Sequence, residues 1–162
     1  ARTTISEVAR IAGVRRMTVY NHFATDAELF DACSSHWFTC NPPPDASAWA
    51  RISDPGERTR TALGEMYAYY RRGEAMLANV IRDAPSIPAL AEILERKWVP
   101  AVEGMVSVLT DAPVPTPADD HLRLRAAVGL ALDFFTWQSL TRAGLDDEGA
   151  AELAARLVAA VR

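Results

Sequence analysis

Six side chains between residues 16 and 22 have the chemistry that contacts with a nucleic acid require. Arg16 can donate hydrogen bonds to the edge of a guanine base, and Met17 can make an apolar contact with a thymine methyl group. The hydroxyl and amide groups in the set can hydrogen-bond a base or a phosphate, and the phenol and the imidazole can donate to phosphate oxygens. The set consists of Arg16, Met17, Thr18, Tyr20, Asn21 and His22. These side chains indicate contacts with duplex DNA if one element presents them together.

The sequence around this set predicts two short helices joined by a tight turn. Thr4 and the glutamate three residues later have the pattern of a capping box, which begins a helix. Gly13 suits the left-handed conformation that often ends a helix. A second helix is expected over residues 15–22 with Val19 facing a small core, and another capping box at Thr25 begins the next helix. This order predicts a helix-turn-helix, whose second helix can lie in the major groove of DNA.

The charge distribution favours the same end of the chain. The net charge of the 162 residues is -4, which alone argues against a nucleic-acid partner because phosphate binding depends on Lys and Arg. Residues 1–23, however, contain four arginines and one glutamate, a net of +3, which leaves -7 for the remainder. The positive charge is therefore concentrated where the candidate DNA contacts lie.

The remainder of the chain predicts an all-α fold, because apolar residues recur at three- and four-residue spacing and few segments are rich in β-branched residues. Four prolines between residues 41 and 55 predict a connecting loop. Helices are expected over residues 55–72, 74–84, 88–109 with a bend at Pro100, and 117–143, followed by a last helix capped by Asp146 or Asp147. We expect a DNA-binding domain over residues 1–33 and a second helical domain over residues 34–162.

Three segments of the N-terminal region resemble the signature of tetracycline-repressor-like (TetR/AcrR-type) transcriptional regulators. They are the run from Thr4 to Val14, the run from Thr18 to Phe23 and the pair Glu28-Leu29. The match covers about the first 33 residues, and beyond them the resemblance is only architectural. It implies a homodimeric repressor that binds double-stranded operator DNA and is released by a small-molecule effector. An activator would show the same residues.

Thr4 and Arg15 are also expected to contact DNA. Two departures accompany the resemblance. The family has a complete helix before the position that matches Thr4, so we expect that an N-terminal segment is missing from this sequence. Asp26 stands where the family commonly has a lysine that can touch phosphate. An aspartate there repels phosphate, although it also suits the positive end of a helix dipole, and Arg15 recovers part of the lost charge.

The segment 128–137 is apolar nearly all round, so it must be covered on two sides. The resemblance implies that the last two helices pair with their copies in a dimer. The alternative is a central core helix of a monomer. Asp133 is the ionisable residue of this segment, and it is expected to anchor a ligand cation or an interfacial arginine, or to be a partly exposed or arginine-paired structural aspartate.

Large, polarisable side chains on the helices of the second domain suit a cavity for a largely apolar effector. They are Met66, Tyr67, Tyr70, Met76, Trp98, Met105, Phe134 and Trp137. The alternative for each of them is a place in the hydrophobic core.

Other functions find little support in the sequence. It contains no phosphate loop, nucleophile elbow, zinc-binding helix or glycine-rich dinucleotide turn, so we expect neither an enzyme nor a cofactor. Cys33 and Cys40 are interpreted as ordinary thiols, and His36 and His121 lack other probable metal ligands nearby, so no metal is expected. No apolar run suits a signal peptide or a membrane span, which predicts a cytoplasmic protein without a membrane partner. The remaining alternative is a helical interaction module whose helix-turn-helix no longer binds DNA.

Overall fold

A computed structural model describes residues 5–111 and 117–162, apart from the side chains of Ile5 and Asp26. Over these residues the chain is helical and contains no strand, as the all-α prediction expected. Thr4 lies outside the described residues. The helices are α1 (Ile5–Ile11), α2 (Arg16–His22), α3 (Asp26–Cys40), α4 (Ala46–Trp49), α5 (Pro55–Asp83), α6 (Pro88–Ile93), α7 (Val99–Thr110), α8 (Ala118–Ala131), α9 (Phe134–Arg142) and α10 (Asp147–Ala159).

The central element is α5, a 29-residue helix. Its start follows the sequence prediction: the Asp54 carboxylate accepts a hydrogen bond from the Glu57 amide at 2.6 Å, and Pro55 occupies the first turn. The end of the helix differs from the prediction, because α5 continues through Gly73 to Asp83 and includes the segment predicted as a separate helix over 74–84. Gly73 is buried, and a Cβ atom there would lie 3.1 Å from Trp37 Cζ2. This glycine therefore permits close packing rather than ending the helix.

The predicted helix over residues 88–109 is divided by a π-helical turn. The turn spans Leu94–Trp98 and separates α6 from α7, and Pro100 follows it in the first turn of α7. Because proline lacks an amide hydrogen, the backbone hydrogen-bond pattern must change just before it. The π-helical turn, a rare element, thus lies one turn before Pro100, where the bend was expected.

The prediction of a single long helix over residues 117–143 is also wrong, because α8 ends at Ala131 and α9 begins at Phe134. Asp133 is exposed and extended at φ -72° and ψ 136°, and its carboxylate accepts a hydrogen bond from the Thr136 amide at 2.9 Å. Asp133 is therefore the N-cap of α9, and it is neither buried nor paired with an arginine among the described residues. Its role matches the partly exposed structural alternative.

The last helix packs along α5 through its alanines. Asp146 caps α10 by accepting from the Gly149 amide at 2.8 Å. Ala150, Ala151, Ala154 and Val158 are buried against the core, and small side chains of this kind let two helices approach closely. None of the described helices is long and apolar enough to cross a membrane.

Candidate nucleic-acid interface and neighbouring pocket

The first two helices form a small unit around a left-handed glycine. Gly13 has φ +67°, and the Val14 amide donates to the Ala9 carbonyl at 3.0 Å, which closes the turn after α1. Ala9 and Val19 are buried to 3% and 6% exposure and bring α1 and α2 together. The turn places α2 across α1 with one side buried, so the opposite side of α2 faces away from this contact.

That outward side of α2 carries most of the residues predicted to contact DNA. Met17 is 68% exposed, Arg16 and Asn21 are exposed, and Tyr20 is half-buried. Arg16 and Tyr20 are four residues apart, as are Met17 and Asn21, so each pair lies one turn apart along the helix and the two pairs lie side by side. Arg16 donates to the Tyr20 hydroxyl at 3.1 Å, and its guanidinium lies 5.4 Å from the centre of the Tyr20 ring. The two side chains therefore hold each other in place on the exposed face.

The other predicted contact residues of this unit are distributed around its edge. Thr18 is half-buried and its amide donates to the Arg15 carbonyl, whereas His22 is exposed at the end of α2. Arg15 is exposed at the position before α2, and no side-chain cap bond forms there. Arg15 therefore presents its charge beside the face defined by Arg16 and Met17.

Part of the positive charge of the unit is compensated internally. Arg10 forms a bidentate ion pair with Glu7, at 2.6 and 3.1 Å, on the exposed side of α1. The hydrogen bond from Arg10 lowers the pKa of the Glu7 carboxyl, and the same bond raises the pKa of Arg10. The charge of Arg10 is therefore compensated by Glu7 on α1.

The capping box before α3 is present with a shift of one residue. The Glu28 amide donates to the Thr25 hydroxyl at 3.2 Å, and the Glu28 carboxylate accepts from the Ala24 amide at 2.8 Å rather than from Thr25 itself. Asp26 is the first residue of α3. The helix continues across residues 33 and 34, so the expected domain boundary falls within a single helix.

Ion pairs join α3 to the π-helical turn. Asp31 lies 3.1 Å from the ammonium group of Lys97 and also forms an ion pair with Arg96. The Lys97 ammonium donates a second hydrogen bond to Ser35 at 2.6 Å. The hydrogen bond from Lys97, together with both positive charges, holds the pKa of Asp31 below its usual range. A single carboxylate is thus shared by two cations at this junction.

A pocket of about 270 Å³ opens beside these ion pairs. Phe38 and Trp98 form one wall, with ring centroids 6.4 Å apart and planes 19° apart, and Tyr69 stacks behind Trp98 at 6.0 Å and 15°. The lining residues are Ser35, Phe38, Pro43, Lys97, Trp98 and Ala101. Lys97 is the charged residue in an otherwise largely apolar lining.

The residues predicted to bind an effector are mostly part of the packed interior. Six of them are buried in one hydrophobic cluster, and the hydroxyls of Tyr67 and Tyr70 donate to backbone carbonyls. The six are Met66, Tyr67, Tyr70, Met105, Phe134 and Trp137. Met76 is half-buried on α5, and Trp98 is the predicted residue that borders the pocket.

The histidines and cysteines do not gather into a metal site in the described part of the chain, where no three metal-binding side chains lie together. Cys33 and Cys40 are exposed and free, and Cys40 Sγ lies 3.7 Å from His36 Nε2 on the surface of α3.

Sequence reasoning did not single out Ser35, Phe38, Pro43, Lys97 and Ala101 as pocket residues. A usable signal was nevertheless present, since Lys97 is the one lysine of the sequence and stands next to Trp98. The contact of this segment with α3 is long-range, so spacing along the chain could not indicate it.

Compared with protein-family models, with curated proteins and with solved structures, the chain gives no significant match.

Proposed function

We propose that the chain is a DNA-binding transcriptional regulator of the tetracycline-repressor-like kind, in which α1 and α2 form a helix-turn-helix. The observation that carries this proposal is the surface of α2, which presents the exposed Arg16, Met17 and Asn21 together with the half-buried Tyr20, whereas Val19 is buried. A guanidinium, a thioether, a phenol and an amide on one exposed helix face are the groups that read base edges and grip phosphates.

The remaining bundle supports the regulator part of the proposal through its exposed leucines. Leu122 and Leu130 lie two turns apart on α8, and Leu153 and Leu157 lie one turn apart on the neighbouring α10. Leu130 is 66% exposed and Leu157 is 60% exposed, which is unusual for large apolar side chains on adjacent helices. We propose that this surface pairs with its copy in a twofold dimer, which would present two copies of α2 to successive major grooves.

The function is tested by offering the purified chain a library of genomic DNA fragments at physiological salt and sequencing those retained. We expect a palindromic sequence to be enriched. The Arg16→Gln variant should relax the preference at one base pair of each half-site and lose about 5- to 150-fold in affinity, since one bidentate base contact contributes about 1–3 kcal/mol.

The matched control is Arg60→Gln, because Arg60 is also an exposed arginine but lies on α5, paired with Glu152 at 2.9 Å. This variant should bind DNA like the wild type. The double variant Leu130→Arg with Leu157→Arg should sediment as a monomer and bind the palindrome weakly. Equal retention of all fragments, or no retention under any salt condition, would contradict the proposal and favour a helical interaction module.

A further inference from the structure

The pocket between α3 and the π-helical turn combines an aromatic wall with one cation. Phe38 and Trp98 supply two rings that are close to parallel. Lys97, whose side chain is 28% exposed, supplies the ammonium group. The volume of about 270 Å³ lies just below the usual range of small-molecule sites, about 300–1,000 Å³, so an occupant must be small. We propose that this pocket binds an aromatic carboxylate with one or two fused rings.

The charges at the pocket explain why the occupant is an anion. Asp31 is shared by Arg96 and Lys97, so the three side chains carry a net charge of +1. A carboxylate that enters the pocket can take Lys97 as its partner while Asp31 keeps Arg96. No charged group is then left without a partner, which avoids the cost that breaking a partly buried ion pair usually carries. A cationic ligand would instead have to compete with both cations for Asp31.

The apolar lining explains why the occupant is aromatic. The pocket presents the side chains of Phe38, Pro43, Trp98 and Ala101, and flat rings stack on aromatic side chains with a gain of about 0.5–1.5 kcal/mol beyond the burial of their area. Trp98 is supported from behind by Tyr69, so the wall is held in place before anything binds. An aliphatic acid of the same length would bury its chain here without this stacking.

An aromatic carboxylate bound in this pocket would be the effector of the proposed regulator, and only this regulatory role rests on the proposed function. Phe38, one of the two rings of the pocket wall, belongs to α3, the helix that directly follows α2. The exchange of partners at Asp31 alters the ion pairs that join α3 to the π-helical turn. Binding to the pocket can be measured without DNA. A pocket that does not bind the carboxylate can therefore be distinguished from a chain that does not bind DNA.

The test compares 1-naphthoate with the neutral, similarly shaped 1-naphthamide by calorimetry at pH 7, where the carboxylate is ionised. Naphthoate is expected to bind the wild-type chain at least about tenfold more tightly than naphthamide, because one charge-assisted hydrogen bond contributes at least that factor. Lys97→Gln should remove this difference by weakening naphthoate alone. Arg60→Gln, which changes an exposed arginine that is paired with Glu152 and does not line the pocket, should preserve the difference.

The location is tested independently by labelling the chain with ¹⁵N-lysine, which gives a single backbone amide signal because Lys97 is the only lysine. Naphthoate should shift this signal in a saturable manner. Ala101→Trp, which fills the pocket, should abolish the shift while its circular dichroism spectrum remains as helical as that of the wild type. Equal affinities of the two probes, an unchanged preference in Lys97→Gln, or an unmoved Lys97 signal would each overturn the proposal.

Discussion

Three tyrosines of α5 lie side by side in the core, and their hydroxyl groups have different partners. Tyr67 donates to the Ala131 carbonyl at 2.8 Å, and Tyr70 donates to the Leu132 carbonyl. Both carbonyls belong to the break between α8 and α9, where the helix leaves its last carbonyls without partners. The Tyr69 hydroxyl is buried and has no hydrogen-bond partner among the described residues. Two hydroxyls therefore stabilise the break, and the third costs free energy.

This difference predicts opposite effects of the same substitution. Tyr67→Phe and Tyr70→Phe should each lower the free energy of unfolding by about 1–2 kcal/mol, because each leaves a buried carbonyl without its donor. Tyr69→Phe should be neutral or stabilising, because it removes a buried polar group that lacks a partner. Urea denaturation of the three variants measures these changes. A loss for Tyr69→Phe as large as for the other two would show that its hydroxyl has a partner after all.

At the residue scale, the sequence predicted side chains that act locally better than those that act across the fold. The caps at Thr25, Asp54 and Asp146 were recognisable because each bonds an amide within three residues. The cap at Asp133 was missed, because an apolar segment concealed the helix start and its supporting tyrosines lie more than 60 residues away. The exposed face of α2 was predictable because it follows from the helix period alone.

The central helix shows how packing overrides a local signal. Gly64 and Gly73 are both interior residues of α5, where glycine is less favourable than alanine by about 0.5–1 kcal/mol. A Cβ atom at Gly64 would meet nothing within 4 Å, whereas one at Gly73 would meet Trp37 at 3.1 Å and Leu77 at 3.3 Å. From the sequence, Gly73 indicated a helix end because the approach of Trp37 from α3 could not be seen.

The two glycines form a matched pair for experiment. Gly64→Ala should raise the free energy of unfolding by about 0.5–1 kcal/mol, since alanine has the higher helix propensity and its methyl group fits open space. Gly73→Ala should raise the free energy of unfolding by less than this amount, or lower it. The substitution should also alter the tryptophan fluorescence, because the new methyl group would press against Trp37. Thermal or urea unfolding of the two variants provides the comparison. An equal gain at both positions would mean that Trp37 does not limit the space at Gly73.

At the scale of the whole molecule, the buried tyrosines make stability depend on pH in the alkaline range. Burial raises the pKa of Tyr67, Tyr69 and Tyr70 above the ordinary value of 10.0, and the charge of Asp133 raises the pKa of Tyr67 and Tyr70 further. Because the folded-state pKa values exceed the unfolded value, the neutral phenols contribute their full stability below pH 10 and lose it as the pH rises above 10.

The expected loss is about 1.4 kcal/mol per pH unit for each of the three tyrosines once the pH exceeds 10. Tyr67→Phe should reduce the slope of unfolding free energy against pH by about a third, whatever its effect at neutral pH. Urea titrations between pH 9 and about 11 measure the slope. An unchanged slope in the variant would contradict the assignment of this pH dependence to the buried phenols.

The all-α architecture was predictable from the periodicity of apolar residues, yet the arrangement of the bundle was not. The alanines of α10 and its two leucines, Leu153 and Leu157, recur at similar helical spacing, but the structure buries the alanines and leaves the leucines exposed. Most of the large central side chains match the alternative of a place in the hydrophobic core. The pocket lies at the junction with α3, which only the long-range contacts of the fold define.

The central claim, that α2 presents a DNA-reading surface, is tested most directly by measuring affinity for the enriched palindromic duplex as a function of salt. A dimer that makes about 6–10 phosphate contacts should lose about 10³- to 10⁵-fold in affinity between about 50 and 200 mM salt. Arg15→Gln should make this dependence less steep, because Arg15 is exposed beside the start of α2. Affinity that does not change with salt, or that is the same for Arg15→Gln at every salt concentration, would contradict the claim.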